Sequence, residues 1–399
     1  MLRDALLFQL GYNANLVMVG AALLGVAAGF VGTFLFLRKR ALISDAISHA
    51  TLPGVGIAFI VMVSLGGDGR ALGGLLIGSA ISAWIGLLCV QWLTRATRLT
   101  EDAAIGAVLS VFFGFGVVLL TVIQSMNIGR KAGLDSLLLG STAGMLMSDA
   151  LLIAVGGAGA LLLTLLMQRV MVMVAFDAGY AQSLGMNVGR IDLVGMLLAL
   201  AVTVIGLKIV GLILIVALLI IPPVAARFWT DRAGVMAVIS GGIGGVSGYL
   251  GAAISATAPG LPTGPIIVLA GFVLFALSLF FAPARGVLAV ALRHIGFQRK
   301  VHLRQGLLAL AGGQPIYERY TLRLLQKSGL ARADGVPTDA GRAQAAKAQL
   351  DEARWKALSG IEGQEAAAAQ YDGLTGIEAV LTADQITEID AVLAAKGVV

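Results

Sequence analysis

The sequence predicts an all-α polytopic membrane protein, with about nine transmembrane helices followed by a small cytoplasmic helical domain. Three observations carry this prediction. Of 399 residues, 58% are hydrophobic and only 13% charged, too little polar surface to cover a soluble protein of that size. Long apolar runs follow one another as far as Phe281, most of them near the ~20 residues that cross a bilayer. Beyond Phe281 the pattern turns to short amphipathic segments broken by Gly, Pro and Asp, which places a transmembrane domain over residues 1–290 and a tail over 291–399.

Taken in order, the runs are Leu16 to Leu37, Ile47 to Leu65, Ala71 to Leu93, Ala103 to Ile123, Asp149 to Met167, Ile191 to Leu207, Ile209 to Ala225, Ala233 to Ile254 and Gly264 to Phe281. The sixth and seventh are short and meet at Lys208. Together they exceed one bilayer crossing, so a hairpin of two spans is expected. A semi-polar stretch, Leu134 to Met147, reads as a short interfacial or re-entrant helix. The chain has 53 glycines, and most lie inside the runs, as Gly20, Gly25, Gly29 and Gly32 do in the first. Residues without bulk let helix backbones approach closely in lipid, so a tightly packed bundle is expected.

Charge sets the orientation. Up to Gln298 there are 16 basic and 10 acidic residues, and beyond it 12 of each, so the formal excess of +6 lies in the apolar part. With the amino terminus outside, the inner side holds Arg38, Lys39, Arg40, Arg95, Arg98, Arg169, Arg190, Arg227, Arg232, Arg285 and Arg293; the outer side holds Arg3, Arg70, Arg130, Lys131 and Lys208. Eleven against five favours amino terminus out and tail in. Arg3 and Asp4 precede a multispan pattern without a small-residue cleavage site, so no cleaved signal peptide is read. One cysteine, Cys89, excludes an intrachain disulfide framework.

In the tail, Leu303 to Leu310, Ile316 to Lys327 and Thr338 to Leu358 show apolar residues at helical spacing. A last helix begins near Thr382, an N-cap candidate with Gln385 completing a capping box.

The acid and histidine that fall together inside a span are Asp45 and His49, four apart and so on one helix face. Counted from Arg40 at ~1.5 Å per residue, His49 lies ~13 Å deep, near the middle of a ~30 Å hydrocarbon core. Groups of this kind at such depth face a bundle interior or a water path. The pair offers one nitrogen and one oxygen ligand to Mn²⁺, Fe²⁺ or Zn²⁺; a proton relay and a structural hydrogen bond are the other readings. Ser44 and Ser48 flank it as weak oxygen contacts or as backbone-bonded hydroxyls. Glu101 and Asp102 after Thr100, and Asp149 and Asp192, open helices where acids match the positive end of the helix dipole.

Between the fifth and sixth runs, VAFDAGYAQSLGMNVGR from Val174 is longer than a connector requires. Phe176, Tyr180 and Leu184 recur every four residues as one apolar stripe, with Gly185 permitting a turn. The stripe could lie on its own bundle or in a partner's groove. No G-x-x-x-x-G-K-[ST] loop occurs, so the chain does not itself cradle nucleotide phosphates by that device, and no H-E-x-x-H or serine triad is present.

Five ordered segments carry a resemblance: GTFLFLRKRALISDAISHATLPGVGIAF from Gly32, EDAAIGAVLSVFFGFGVVLL from Glu101, FDAGYAQSLG from Phe176, GLILIVALLIIPPVAARF from Gly211 and PTGPIIVL from Pro262. Over roughly Leu16 to Arg285 the sequence resembles the permease subunits of ATP-binding-cassette importers of manganese, zinc and iron, the ABC-3 family. The resemblance implies a non-enzymatic permease in a bacterial plasma membrane, paired with a second, identical or related permease. Two ATPase subunits would lie beneath and an extracytoplasmic metal-binding protein above. It implies no permanent cofactor: Mn²⁺, Zn²⁺ or Fe²⁺ is cargo, and ATP is used by the partner. Asp45 and His49 match the family's metal-coordinating pair. Phe176, Asp177, Tyr180, Leu184 and Gly185 match the segment that docks on the ATPase, with Ala178 and Gly179 standing where Pro and Glu are usual.

The tail, LLQKSGLARADGVPTDAGRAQAAKAQLDEARWKAL from Leu324, is similar to a winged-helix extension like that of iron- and manganese-dependent repressors, which makes manganese the leading cargo. Nucleic-acid binding is not expected, because the tail is neutral and phosphate binding needs a basic surplus. A proton- or ion-coupled secondary carrier is the competing class, with Asp45 and His49 as a relay; a membrane scaffold displaying the tail is a third.

Overall fold

The computed structural model describes residues 3–4, 7–9, 11–67, 71–126, 147–207, 211–258, 261–361 and 364–395. The chain divides into two compact units, Met1–Ala289 and Val290–Val399.

Among the described residues of the first unit, eight helices are long and apolar enough to cross a membrane. They are α1 (Tyr12–Leu37), α2 (Ile43–Ser64), α3 (Leu72–Ala96), α4 (Glu101–Ser125), α5 (Met147–Phe176), α7 (Val188–Gly206), α9 (Ala233–Ser255) and α10 (Thr263–Phe281). Two shorter helices complete it, α6 (Ala178–Ser183) and α8 (Leu212–Arg227). Among the described residues the expected nine spans are therefore eight. The seventh apolar run forms α8, only 16 residues or ~24 Å long, short of a ~30 Å core. It starts late because Gly211 enters with φ +84°, a left-handed conformation that does not propagate a helix. Lys208 and most of the stretch from Leu134 lie outside the described residues.

Packing follows the glycines. A Cβ on Gly25 would lie 2.1 Å from the carbonyl oxygen of Gly244, and one on Gly248 2.2 Å from that of Ala21, so α1 and α9 touch backbone to backbone. Ser240 Oγ donates across the seam to the Gly29 carbonyl at 2.6 Å. A second seam joins α2 to α3, where a Cβ on Gly54 would lie 2.1 Å from the Gly78 carbonyl oxygen. Buried hydroxyls of Thr33, Thr164 and Thr203 donate to carbonyls one turn back, which satisfies them without water. Large apolar side chains on α4, α5 and α10, among them Val111, Leu166 and Phe272, face outward, as a lipid-exposed surface requires.

The second unit continues from α11 (Val287–Ala311) through α12 (Arg319–Lys327), α13 (Asp339–Leu358), α14 (Glu365–Ala368), a 3-10 turn at Ile377–Ala379 and α15 (Ala383–Ala395). The expected winged-helix module is not there: among the described residues no β-strand forms. In place of a wing the chain makes a tight turn in which Gly335 N donates to Arg332 O at 3.0 Å and Arg332 N to Val336 O at 2.8 Å. A single bridge, Ala331 with Pro337, closes it. The ladder goes no further because Leu330 N is taken by the Leu325 carbonyl at 2.8 Å, while Thr338, whose N donates across the turn to Leu330 O at 3.0 Å, already caps α13 by accepting from Gly341 N at 3.1 Å. Of the capping box expected at Thr382, one half forms, Gln385 Oε1 accepting from Thr382 N at 3.0 Å. Two cores fill the unit, one around Leu307, Leu325 and Ala345 and one around Trp355, Ile377 and Ile389.

Candidate metal site and coupling surface

The turn between α1 and α2 sets up the site. Lys39 has φ +58°, and α1 ends in a Schellman motif, Lys39 N donating to Phe36 O and Arg40 N to Leu35 O. Gly66 and Gly185 occupy the equivalent left-handed position after α2 and α6, so Lys39 does a glycine's work with a side chain attached. After the turn, α2 starts at Ile43 and carries Asp45 in its first turn, where the helix dipole favours a carboxylate.

One turn further, His49 Nε2 stands 3.4 Å from Asp45 Oδ1, with side chains 17% and 37% exposed respectively. The ring edge meets Phe113 of α4 at a centroid distance of 5.1 Å. His49 Nδ1 is buried without a hydrogen-bond partner. Pro53, inside α2, lacks the N–H that would bond the His49 carbonyl four residues back, which leaves that oxygen without its helical donor. A nitrogen, a carboxylate and a released carbonyl are thus gathered within one turn of helix. Ser44, flanking the pair, donates to the Ala41 carbonyl at 2.5 Å. Among the described residues no group of three or more His, Cys, Asp or Glu side chains could hold a metal, so Asp45 and His49 offer two side-chain ligands and leave the other positions of an ion to backbone or water.

The segment from Phe176 folds as expected of a short surface helix. Asp177 caps α6 by accepting from Tyr180 N at 2.8 Å, and Gly185, at φ +79°, ends it. Ala181 is fully buried against Val174 and Val188. On the other side Phe176, Tyr180 and Leu184 are 68%, 56% and 53% exposed. The apolar stripe is not laid on its own bundle.

Sequence reasoning missed the pairing of the remaining acids. Glu101 opens α4, which Thr100 caps by accepting from Ala103 N, but Asp192 does not open its helix: α7 begins at Val188 with Asn187 as its cap and has no acid in its first turn. Both acids also meet arginines of the α1–α2 turn: Asp192 pairs with Arg38 and Arg40, and Glu101 with Arg40. The available signal was an acid beside an apolar run with a basic triplet elsewhere, which gives charge but not partner.

Residues 12–282 match the profile of the ABC 3 transport family. This chain belongs to that family. The ABC 3 permease is 40% identical over 318 residues, 79% of its length and 71% of the relative's, to a manganese transport system membrane protein of Bacillus subtilis. It is 38% identical over 277 residues to a zinc transport system membrane protein of Treponema pallidum, covering 69% of this chain and 91% of that one. Among solved structures it resembles PsaBC from Streptococcus pneumoniae in complex with Fab, with TM-score 0.63 and 29% identity over 73% of this chain and all of that chain. The ABC 3 permease is accordingly the transmembrane subunit of an ATP-driven importer of divalent transition-metal ions and couples to a separate ATPase. It is a multi-pass transport component without ATPase activity of its own.

Proposed function

We propose that the permease passes Mn²⁺ through its bundle by transient coordination to Asp45 and His49, with Zn²⁺ and Fe²⁺ the nearest alternative cargoes. The carrying observation is the pair itself: a buried His49 nitrogen without a partner and a carboxylate 3.4 Å from the same ring, on one face of α2. Two side-chain ligands suit passage, because an ion held by few protein ligands is released readily. Ligand chemistry fits all three metals. With no wing in the tail, the manganese preference rests on the likeness to the Bacillus subtilis manganese system.

In the proposed assembly an extracytoplasmic binding protein delivers the ion, a second permease, identical or related, completes the path, and two ATPase subunits dock on Phe176 to Gly185. The amino terminus lies outside the bacterial plasma membrane and the tail, 291–399, in the cytoplasm. The distribution of basic residues supports this orientation, and the exposed stripe on α6 supports the docking.

Reconstituted complexes carrying Asp45→Asn or His49→Ala should lose at least about tenfold in metal uptake while assembling normally, and the double variant should be scarcely worse than either, as for ligands acting together. Wild-type uptake by either single variant defeats the coordination.

A further inference from the structure

A charged network with no role in the pathway so far lies where α1 ends. Arg38 grips Asp192 of α7 with two prongs, Nε to Oδ1 at 2.9 Å and Nη2 to Oδ2 at 2.7 Å, and its Nη1 donates to the Val174 carbonyl of α5 at 2.9 Å. Arg40 Nη1 lies 3.1 Å from the same Asp192 oxygen, and Arg40 Nε lies 3.0 Å from Glu101 Oε1 at the start of α4. Asp192 is 10% exposed and the two arginines 23% and 22%. Two cations and two acids balance in a largely dry setting, where short two-pronged pairs are strong and directional and loss of one partner strands a charge.

Its position suggests more than local stability. α1 and α2 are consecutive yet barely touch: α1 packs on α9, α5 and α8, and α2 on α3 and α4. α7 and α8 pack on both α1 and α2, and the network lies where α7 meets the α1–α2 turn, with Arg38 at the end of α1 and Arg40 and Glu101 on the side of α2 and α4. Val174 lies two residues before Phe176, and Asp192 four residues into α7, so the chain entering the coupling segment and the chain leaving it are both tied to Arg38. From Arg40 it is five residues to Asp45 and nine to His49.

We propose that Asp192, held by Arg38 and Arg40, is the positioning residue that converts displacement of the coupling segment into movement of α2, and so of the metal ligands. This rests on the reading of Phe176 to Gly185 as the ATPase-docking segment. A dense, directional contact between packed helices moves them as one or releases them, and does not stretch.

The test uses the whole complex in lipid vesicles, with Mn²⁺ uptake, ATP hydrolysis and ATPase copurification measured together. Asp192→Asn should keep its ATPase and hydrolyse ATP within about twofold of wild type while metal transported per ATP falls about tenfold or more, within the usual reach of coupling between sites. Exchanging the charges, Arg38→Asp with Asp192→Arg, should recover part of that ratio. Glu101→Gln, at the more exposed rim of the network, should lower the ratio less and serves if Asp192→Asn does not assemble. A clamp that only holds the bundle together would reduce uptake and hydrolysis in step and leave the ratio unchanged, and that result in an assembled Asp192→Asn or Glu101→Gln complex overturns the proposal. Failure of the docking reading shows separately, as undiminished copurification when Tyr180 and Leu184 are changed.

Discussion

At Gly244 a single methyl group separates contact from collision. A Cβ there would meet the Gly25 carbonyl oxygen at 2.1 Å, whereas one on Gly242, two positions earlier on α9, would meet nothing within 4 Å. Gly244→Ala should therefore destabilise the bundle by about 1–3 kcal/mol, the usual range for overpacking. Gly242→Ala should be neutral or slightly stabilising, since alanine is the better helix former. Thermal unfolding of the two variants in detergent checks this, and equal midpoints would show that the seam can yield. Glycine-rich packing was legible in the sequence; which glycines form the seam was not, because the repeat along α1 is the same for a buried face and an exposed one. Asp45 and His49 were legible as a pair because four residues of one helix fix their juxtaposition. Arg38 and Asp192, 154 residues apart, were not, since only the fold brings them together.

Among the elements, α6 shows how a six-residue helix persists without length. Asp177 closes one end, Gly185 the other, and Ala181 anchors the middle, so the outward side chains are free of structural duty. Tyr180→Asp with Leu184→Asp should thus leave the bundle folded, abolish copurification of the ATPase and cut stimulated hydrolysis at least about tenfold, since each change places a charge where an apolar contact is required. Unchanged association would remove the docking role. The wing was misjudged at this scale. A short Gly-containing turn between two helices has the same sequence signal whether or not strands flank it, and here Leu330 N bonds back to Leu325 while α13 begins straight after Thr338, which leaves no room for a longer ladder. The ninth span was misjudged for a related reason, since a run of apolar residues reports burial but not where Gly211 allows the helix to begin.

Across the whole molecule, the apolar unit and the tail are stabilised by different forces. The tail adds ion pairs to its two apolar cores, with Arg354 donating to both oxygens of Asp390 at 2.7 and 2.6 Å, which holds that carboxyl below its ordinary range. Three hydrogen bonds from Leu374 and Thr375 draw Asp372 down to about 2. A carboxyl with a depressed folded pKa stabilises above its unfolded value and loses that contribution as pH falls through the folded one. Hydrogen-exchange protection of the tail should accordingly weaken on acidification below about pH 4, near the unfolded aspartate value. Asp390→Asn should lower protection at neutral pH by about 1 kcal/mol, as for a partly exposed pair, and flatten the acid slope; an unaltered slope would show that the pair adds nothing. Lys39 connects the finished fold to its history. Its left-handed backbone strains a turn that glycine would form freely, yet on the proposed orientation Arg38, Lys39 and Arg40 form a basic cluster at the inner end of α1, a topogenic signal of the kind the insertion machinery reads. A side chain that strains the finished turn then serves during synthesis, by holding its end of α1 in the cytoplasm.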